Sequence, residues 1–211
     1  MYQILFYIAL FIGFIPLLIL FLKKRAFDLK KTIIPFVWLT ALATLYEFIG
    51  TVLLKINTTY WSQLYSFLAF LTLYYFFFKL FRPNYKNAFR IYFILFTIIF
   101  CISFFFWTDK NTFITRAINR IPLTLFVLTF SFLWFKELFK KMKIQNPWQN
   151  ADFYFVSGFA IYYSSTFFLF LLGSFIFNSN VYFYDYWLVN IIATLILRIF
   201  LIIGVWKMKQ D

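Results

Sequence analysis

The stretch IYFILFTIIFCISFFFW, residues 91–107, decides the fold, because it carries apolar side chains on every face. A membrane-spanning strand alternates apolar and polar residues over about ten positions. Of the two elements that can satisfy every backbone group inside lipid, helix and closed barrel, only the helix fits this run. The run holds 17 residues and is the shortest of its kind in the chain. It sits at the lower edge of the roughly 17–25 residues that a spanning helix needs.

Working outward, six further apolar runs cover 2–22, 32–54, 61–80, 121–138, 153–177 and 186–206. The fifth is expected to begin before its apolar stretch, with Pro122 near the helix start, where a missing N–H costs little. Connections are short, and no Gly-rich or Ser-rich linker or internal repeat appears. Composition agrees: 64% of the 211 residues are hydrophobic and 13% charged. A soluble domain carries about 45–50% apolar and about 25% charged residues. The sequence therefore predicts an all-α integral membrane protein, a single seven-transmembrane-helix bundle over residues 1–211.

The short fourth run also fixes the sidedness. Lys23, Lys24, Arg25, Lys30 and Lys31 fall in the first loop, and Lys79, Arg82, Lys86 and Arg90 in the third. Lys136, Lys140, Lys141 and Lys143 fall in the fifth, and Lys207 and Lys209 in the tail. Those fifteen cations share one side, against Lys55, Lys110, Arg116 and Arg120 on the other. Basic loops stay in the cytoplasm, so the N-terminus is expected outside and the C-terminus inside. Without the fourth span, the basic loops would not alternate correctly. Tyr60, Trp61, Tyr184, Tyr186 and Trp187 fit the outer headgroup level, and Trp148 and Trp206 the inner one.

These placements exclude other readings. The net charge of +13 lies in loops between apolar runs, which is membrane topology rather than a nucleic-acid face. The first run has no basic segment before it and is followed by Lys23, Lys24 and Arg25, so it reads as an uncleaved first helix. The absence of histidine removes the commonest general base and metal ligand, and no cofactor or metal is expected. Cys101, the single cysteine, is expected as a small core residue. The 36 phenylalanines are expected mainly on the lipid-facing surface of a protein from an AT-rich bacterial genome. The Asn57-Thr58-Thr59 glycosylation triplet then reads as a chance match.

Polar residues inside the apolar runs point to a site. An ionisable group at mid-membrane costs on the order of 2.5–3.5 kcal/mol on insertion scales, so it needs a partner or a watery cavity. Glu47 lies in the second run and Arg198 in the seventh. They could pair if their helices are close. Asn190, Thr194 and Arg198 recur every four residues and share one helix face. Arg116 and Arg120 are four apart at the outer end of the fifth helix and could crown an outward-opening pocket. The third helix enters with Ser62, Gln63, Tyr65 and Ser66, and the sixth carries Tyr162, Tyr163, Ser164, Ser165 and Thr166. The candidate cavity is lined by Glu47, Tyr46, Gln63, Ser66, Arg116, Arg120 and Asn190, with Arg198 beneath. The alternative is a set of structural bonds clamping the helices. For the sixth helix, small-residue packing and local hydroxyl bonds are the simpler account.

Helix seven has no lysine before Lys207, which removes a retinal attachment point. The segments LYEFIG (45–50), FITRAINRI (113–121), FYFVSGFAIYYSSTFFLFLL (153–172) and LVNIIATLILRIFLIIGVW (188–206) resemble a group of small seven-helix membrane proteins of Bacteroidetes. Some of these are similar to the membrane domains of sensor kinases. The resemblance implies a multi-pass protein of the bacterial cytoplasmic (inner) membrane and carries over no catalytic residue. The expected function is a non-enzymatic, sensor-like or ligand-binding module. It would act among membrane lipids with a protein partner in or beside the membrane, and without nucleic acid. A small transporter or a lipid-handling accessory subunit of a membrane complex is the alternative. Glu47 is the only embedded carboxylate, and acid–base chemistry normally needs two, which argues against an enzyme.

Overall fold

The structure, a computed structural model, describes residues 2–28, 31–56, 59–81, 85–107, 112–141, 146–173, 175 and 183–208. It is all-helical, and no strand occurs among the described residues. Helix α1 spans Tyr2–Leu22, and α2 spans Ile34–Tyr46 and continues as a π-helix over Glu47–Leu53. Helix α3 covers Thr59–Leu80, and α4 covers Lys86–Ser103 with a 3₁₀ turn at Phe104–Phe106. Helix α5 covers Thr112–Lys141, α6 Ala151–Leu171 and α7 Phe183–Lys207. Seven helices are long and apolar enough to cross a membrane. Lys30, Arg82, Lys110, Lys143 and Lys209, and residues 57–58 of the glycosylation triplet, lie outside the described residues.

Local chemistry explains the helix boundaries. Pro35 stands in the first turn of α2, where its missing N–H costs nothing. The Asn150 side chain accepts from the Asp152 N–H at 2.9 Å and caps α6, and Asp152 adds an acidic group to the first turn. Two boundaries differ from the sequence reading. Helix α6 stops at Leu171 rather than running to 177. Helix α5 begins nine residues before its apolar stretch, so Pro122 is an interior residue of the helix. The missing Pro122 N–H leaves the carbonyl four residues earlier without its usual donor, a gap that surrounding helices tolerate inside lipid.

Packing arranges six helices as a ring. Helix α1 packs on α2, α2 on α3, α3 on α5, α5 on α6, α6 on α7, and α7 returns to α1. Helix α4 stands outside the ring against α5 and α3. It is the least buried of the seven, and α5 is the most buried. The α1 and α7 ends meet on the basic side. There the Lys23 Nζ donates to the carbonyls of Val205 at 3.2 Å and Trp206 at 2.5 Å. The ammonium thereby supplies donors and positive charge to the carbonyl end of α7. Burial, and then the neighbouring Arg25, push the Lys23 pKa below the ordinary lysine value.

Two composition-based expectations are corrected. Much of the phenylalanine is core. Phe70 stacks on Phe96 at 3.8 Å and Phe89 on Phe130 at 4.1 Å, and Phe126 sits between these pairs, all fully or almost fully buried. Each such pair contributes about 0.5–1.5 kcal/mol beyond the area it buries. This aromatic seam, with the Tyr92–Thr129 hydroxyl bond at 2.9 Å, is what attaches α4 to the ring. Cys101, in contrast, is exposed rather than core, because α4 turns that side away from its neighbours.

Helices α6 and α7 meet through two glycines. A Cβ on Gly158 would lie 2.8 Å from the Phe200 Cβ, and one on Gly204 would lie 2.3 Å from the Phe155 ring. Close approach of backbones through small residues is a principal source of helix association in lipid. Gly204→Ala would drive a methyl into a ring that is 2% exposed and has nowhere to move. The expected cost is about 1–3 kcal/mol, from overpacking. Thermal unfolding of the purified protein in a neutral detergent checks this, and an unchanged midpoint would contradict the packing described.

Candidate functional site

The ring helices place polar groups toward one end of the bundle, remote from the basic loops. Glu47 lies six residues from the end of the α2 π-helix, Tyr65 six from the start of α3, and Arg120 eight from the start of α5. Tyr162 lies nine from the end of α6. At 1.5 Å per residue these are depths of roughly 9–14 Å. Arg198 and the α1 backbone complete the set, so all six ring helices contribute to one polar centre.

Arg198 is a structural clamp. It is 7% exposed and donates to the Ala9 carbonyl of α1 and, at 3.0 Å, to the Thr44 Oγ1 of α2. Thr44 passes its own proton to the Thr40 carbonyl at 2.8 Å. One side chain thus ties α7 to both α1 and α2. Gly13 makes room for it: a Cβ there would lie 2.5 Å from the Thr44 Oγ1 and 2.9 Å from the Arg198 Cζ. Glu47 stands within electrostatic reach of Arg198, but the two form no ion pair. The direct Glu47–Arg198 pair raised by the sequence is therefore not formed, because the guanidinium turns to Ala9 and Thr44 instead. The 190/194/198 stripe does face inward at Arg198, and the Asn190 Oδ1 is buried without a hydrogen-bond partner.

Helices α3 and α5 are joined by a second polar seam. The Arg116 Nε donates to the Ser62 Oγ at 3.0 Å, and the Asn119 Nδ2 to the Gln63 Oε1 at 2.7 Å. Gln63 and Asn119 are completely buried, and the Gln63 Nε2 and Asn119 Oδ1 have no hydrogen-bond partner. Arg116 therefore belongs to a helix–helix bond as well as to the rim. Two other candidates make contacts within and between helices. The Ser66 hydroxyl turns back to the Ser62 carbonyl at 2.9 Å. The Tyr46 ring stacks on Trp61 at 4.5 Å and covers Gly50.

Arg120 does not crown an outward pocket, as the sequence suggested, but lies inside the ring at 6% exposure. Its Cζ is 4.5 Å from the centre of the Phe170 ring, 4.8 Å from Tyr163 and 5.0 Å from Tyr162, all on α6. Its Nε and Nη2 are buried and have no hydrogen-bond partner. Tyr65 of α3 stands between the charges, within electrostatic reach of Arg120, Arg198, Glu47 and Tyr162. Of the polar run on α6, only Tyr162 and Tyr163 face this centre. Ser164 and Thr166 bond to carbonyls of their own helix, at 3.1 and 2.7 Å.

Asn119, Tyr65, Tyr162, Tyr163, Thr44 and Gly13 are thus site residues that the sequence reading did not select. The i, i+3 and i, i+4 spacings of Arg116, Asn119 and Arg120 were visible in the FITRAINRI segment and could have identified Asn119. Nothing in the sequence marks Gly13. Among the described residues no group of three acidic or cysteine side chains is arranged to hold a metal.

Substituting Gly13→Ala displaces the Arg198 guanidinium and strands a buried charge. We expect about 1.5–3 kcal/mol of destabilisation, the worth of hydrogen bonds made by a charged group. Thr44→Val, which removes the acceptor and leaves the shape, is expected to cost less than Gly13→Ala. Denaturation midpoints of the two variants in one detergent check the order, and a silent Gly13→Ala would contradict the clamp. No family model, no curated protein and no solved structure matches the chain, so the reading rests on this geometry.

Proposed function

We propose that this chain is an integral protein of a bacterial cytoplasmic membrane, with its N-terminus outside and its C-terminus in the cytoplasm. We propose further that it is a sensor-like, ligand-binding module that reports occupancy of its polar centre to a protein partner. The fifteen-to-four distribution of Lys and Arg supports the orientation. The carrying observation for ligand binding is Arg120, a buried guanidinium with an unpartnered edge, set on α5 among side chains of α3 and α6. The π-helix at Glu47–Leu53 adds to it, since π segments inside helices occur frequently at functional sites. A π segment has a looser hydrogen-bond register than an α-helix, so α2 provides an element that ligand binding can re-wind.

A small transporter or lipid-handling subunit is the second reading, and the same π segment is the observation in its favour. Transporters of the broken-helix kind carry paired interruptions in two related halves. Only α2 carries a π segment among the described residues, so this reading ranks below the first.

Two measurements test the proposal. A reporter fused after Trp206 is expected to read as cytoplasmic, and an external signal would reverse the orientation and the side from which the centre is reached. The tagged chain, purified from its native membrane without stripping, is expected to bring a partner protein in constant ratio. Recovery of this chain alone would contradict the module-and-partner reading.

A further inference from the structure

Two cations lie in the polar centre, and they differ in how their charge is met. Arg198 spends its donors on Ala9 and Thr44 and has Glu47 within electrostatic reach. Among the described residues the groups that act on Arg120 are Tyr162, Tyr163 and Tyr65, and no carboxylate is among them. Its three ring contacts attract the cation, and the Tyr162 side chain takes one hydrogen bond from it. The two nitrogens left without partners, Nε and Nη2, lie on one edge of the guanidinium. That edge is the fork that grips two oxygens of a single carboxylate or phosphate group. The rings and the Tyr162 bond offset part of the desolvation cost of this buried cation, and the open edge leaves two of its N–H donors without an acceptor. An anion bound at the open edge would offset that cost.

We propose that Arg120 is the anion-binding residue of this protein. Its ligand is a singly charged amphiphile that presents two oxygens on one atom, a carboxylate or a phosphodiester, with an apolar body. A single negative charge matches the single positive charge of the guanidinium whose edge is open. The apolar body follows from the surroundings, since Phe170, Tyr163 and Tyr162 line the guanidinium. The unpartnered Gln63 Nε2 on α3 and Asn119 Oδ1 on α5 itself are a buried donor and acceptor that further polar groups of the ligand would use. This inference rests on the ligand-binding reading above and assigns the ligand class to it.

The test uses the full chain in a neutral maltoside detergent and follows thermal unfolding against added laurate, dodecanol and phosphatidylglycerol. Laurate and dodecanol share a tail, so stabilisation by laurate alone identifies a carboxylate ligand. Saturable stabilisation by phosphatidylglycerol without laurate identifies a phosphodiester headgroup. Arg120→Lys keeps the charge and loses the fork, and is expected to weaken binding by about tenfold or more. Arg120→Gln is expected to abolish binding. Lys136→Gln, an exposed charge near the other end of α5, is expected to leave it unchanged. The inference is overturned if laurate acts no differently from dodecanol and phosphatidylglycerol gives no saturable shift. It is equally overturned if binding survives Arg120→Gln. Comparing the tails on the unaltered protein keeps the test valid even if a variant does not fold. If no probe binds while a partner still co-purifies, the ligand class falls and the partner reading stands; loss of both takes down the two together.

Discussion

Everything in this fold answers to the burial of two guanidiniums among apolar helices. In hydrocarbon an isolated cation is costly, and the ring of α1, α2, α3, α5, α6 and α7 meets that cost in two ways. Around Arg198 it supplies a backbone carbonyl, a hydroxyl and, at longer range, a carboxylate. Around Arg120 it supplies three aromatic rings and one hydrogen bond to Tyr162. The first arrangement holds three helices together and is complete. The second is incomplete on one edge, and that incompleteness is the argument for a ligand.

The remaining features support this division. Gly13 exists to let Arg198 reach Thr44, and Gly158 and Gly204 bring α7 against α6 at the right depth. The aromatic seam of α3, α4 and α5 keeps α5 in place without using any polar group near Arg120. Such a scaffold is stiff where packing is dense. It is less regular at Glu47–Leu53, where the π-helix departs from the α register. Glu47 stands at the first residue of that segment, which couples an embedded carboxylate to the π-helical span of α2.

The fold was largely legible because length and hydropathy alone mark the helices that are able to cross a membrane. The fourth run, 91–107, was short yet necessary for the basic loops to alternate, and it forms α4 with its 3₁₀ extension. The site was legible only as a set of residue types. Arg120 and Arg198 were found because charge inside an apolar run is conspicuous, but their opposite roles depend on which neighbours each meets. Ring order decides that, and single-sequence reading contains no ring order. Tyr162 and Tyr163 stand out only as part of a polar run explained by helix packing, and Phe170 as an ordinary aromatic, until α5 is placed beside α6. Phe70 and Phe96 read as lipid-facing for the same reason, since outward and inward faces are equally greasy in a membrane bundle.

The central claim is that Arg198 is a satisfied clamp and Arg120 a cation awaiting its anion. Equilibrium stability of Arg198→Gln and Arg120→Gln, measured side by side in one neutral detergent without added ligand, separates them most directly. Removing Arg198 breaks bonds among three helices and is expected to cost about 3 kcal/mol or more. Removing Arg120 relieves a buried charge with an open edge and forfeits ring contacts and one bond to Tyr162, so its cost is expected to be about 1 kcal/mol or less. Equal, large losses for the two variants would contradict the account.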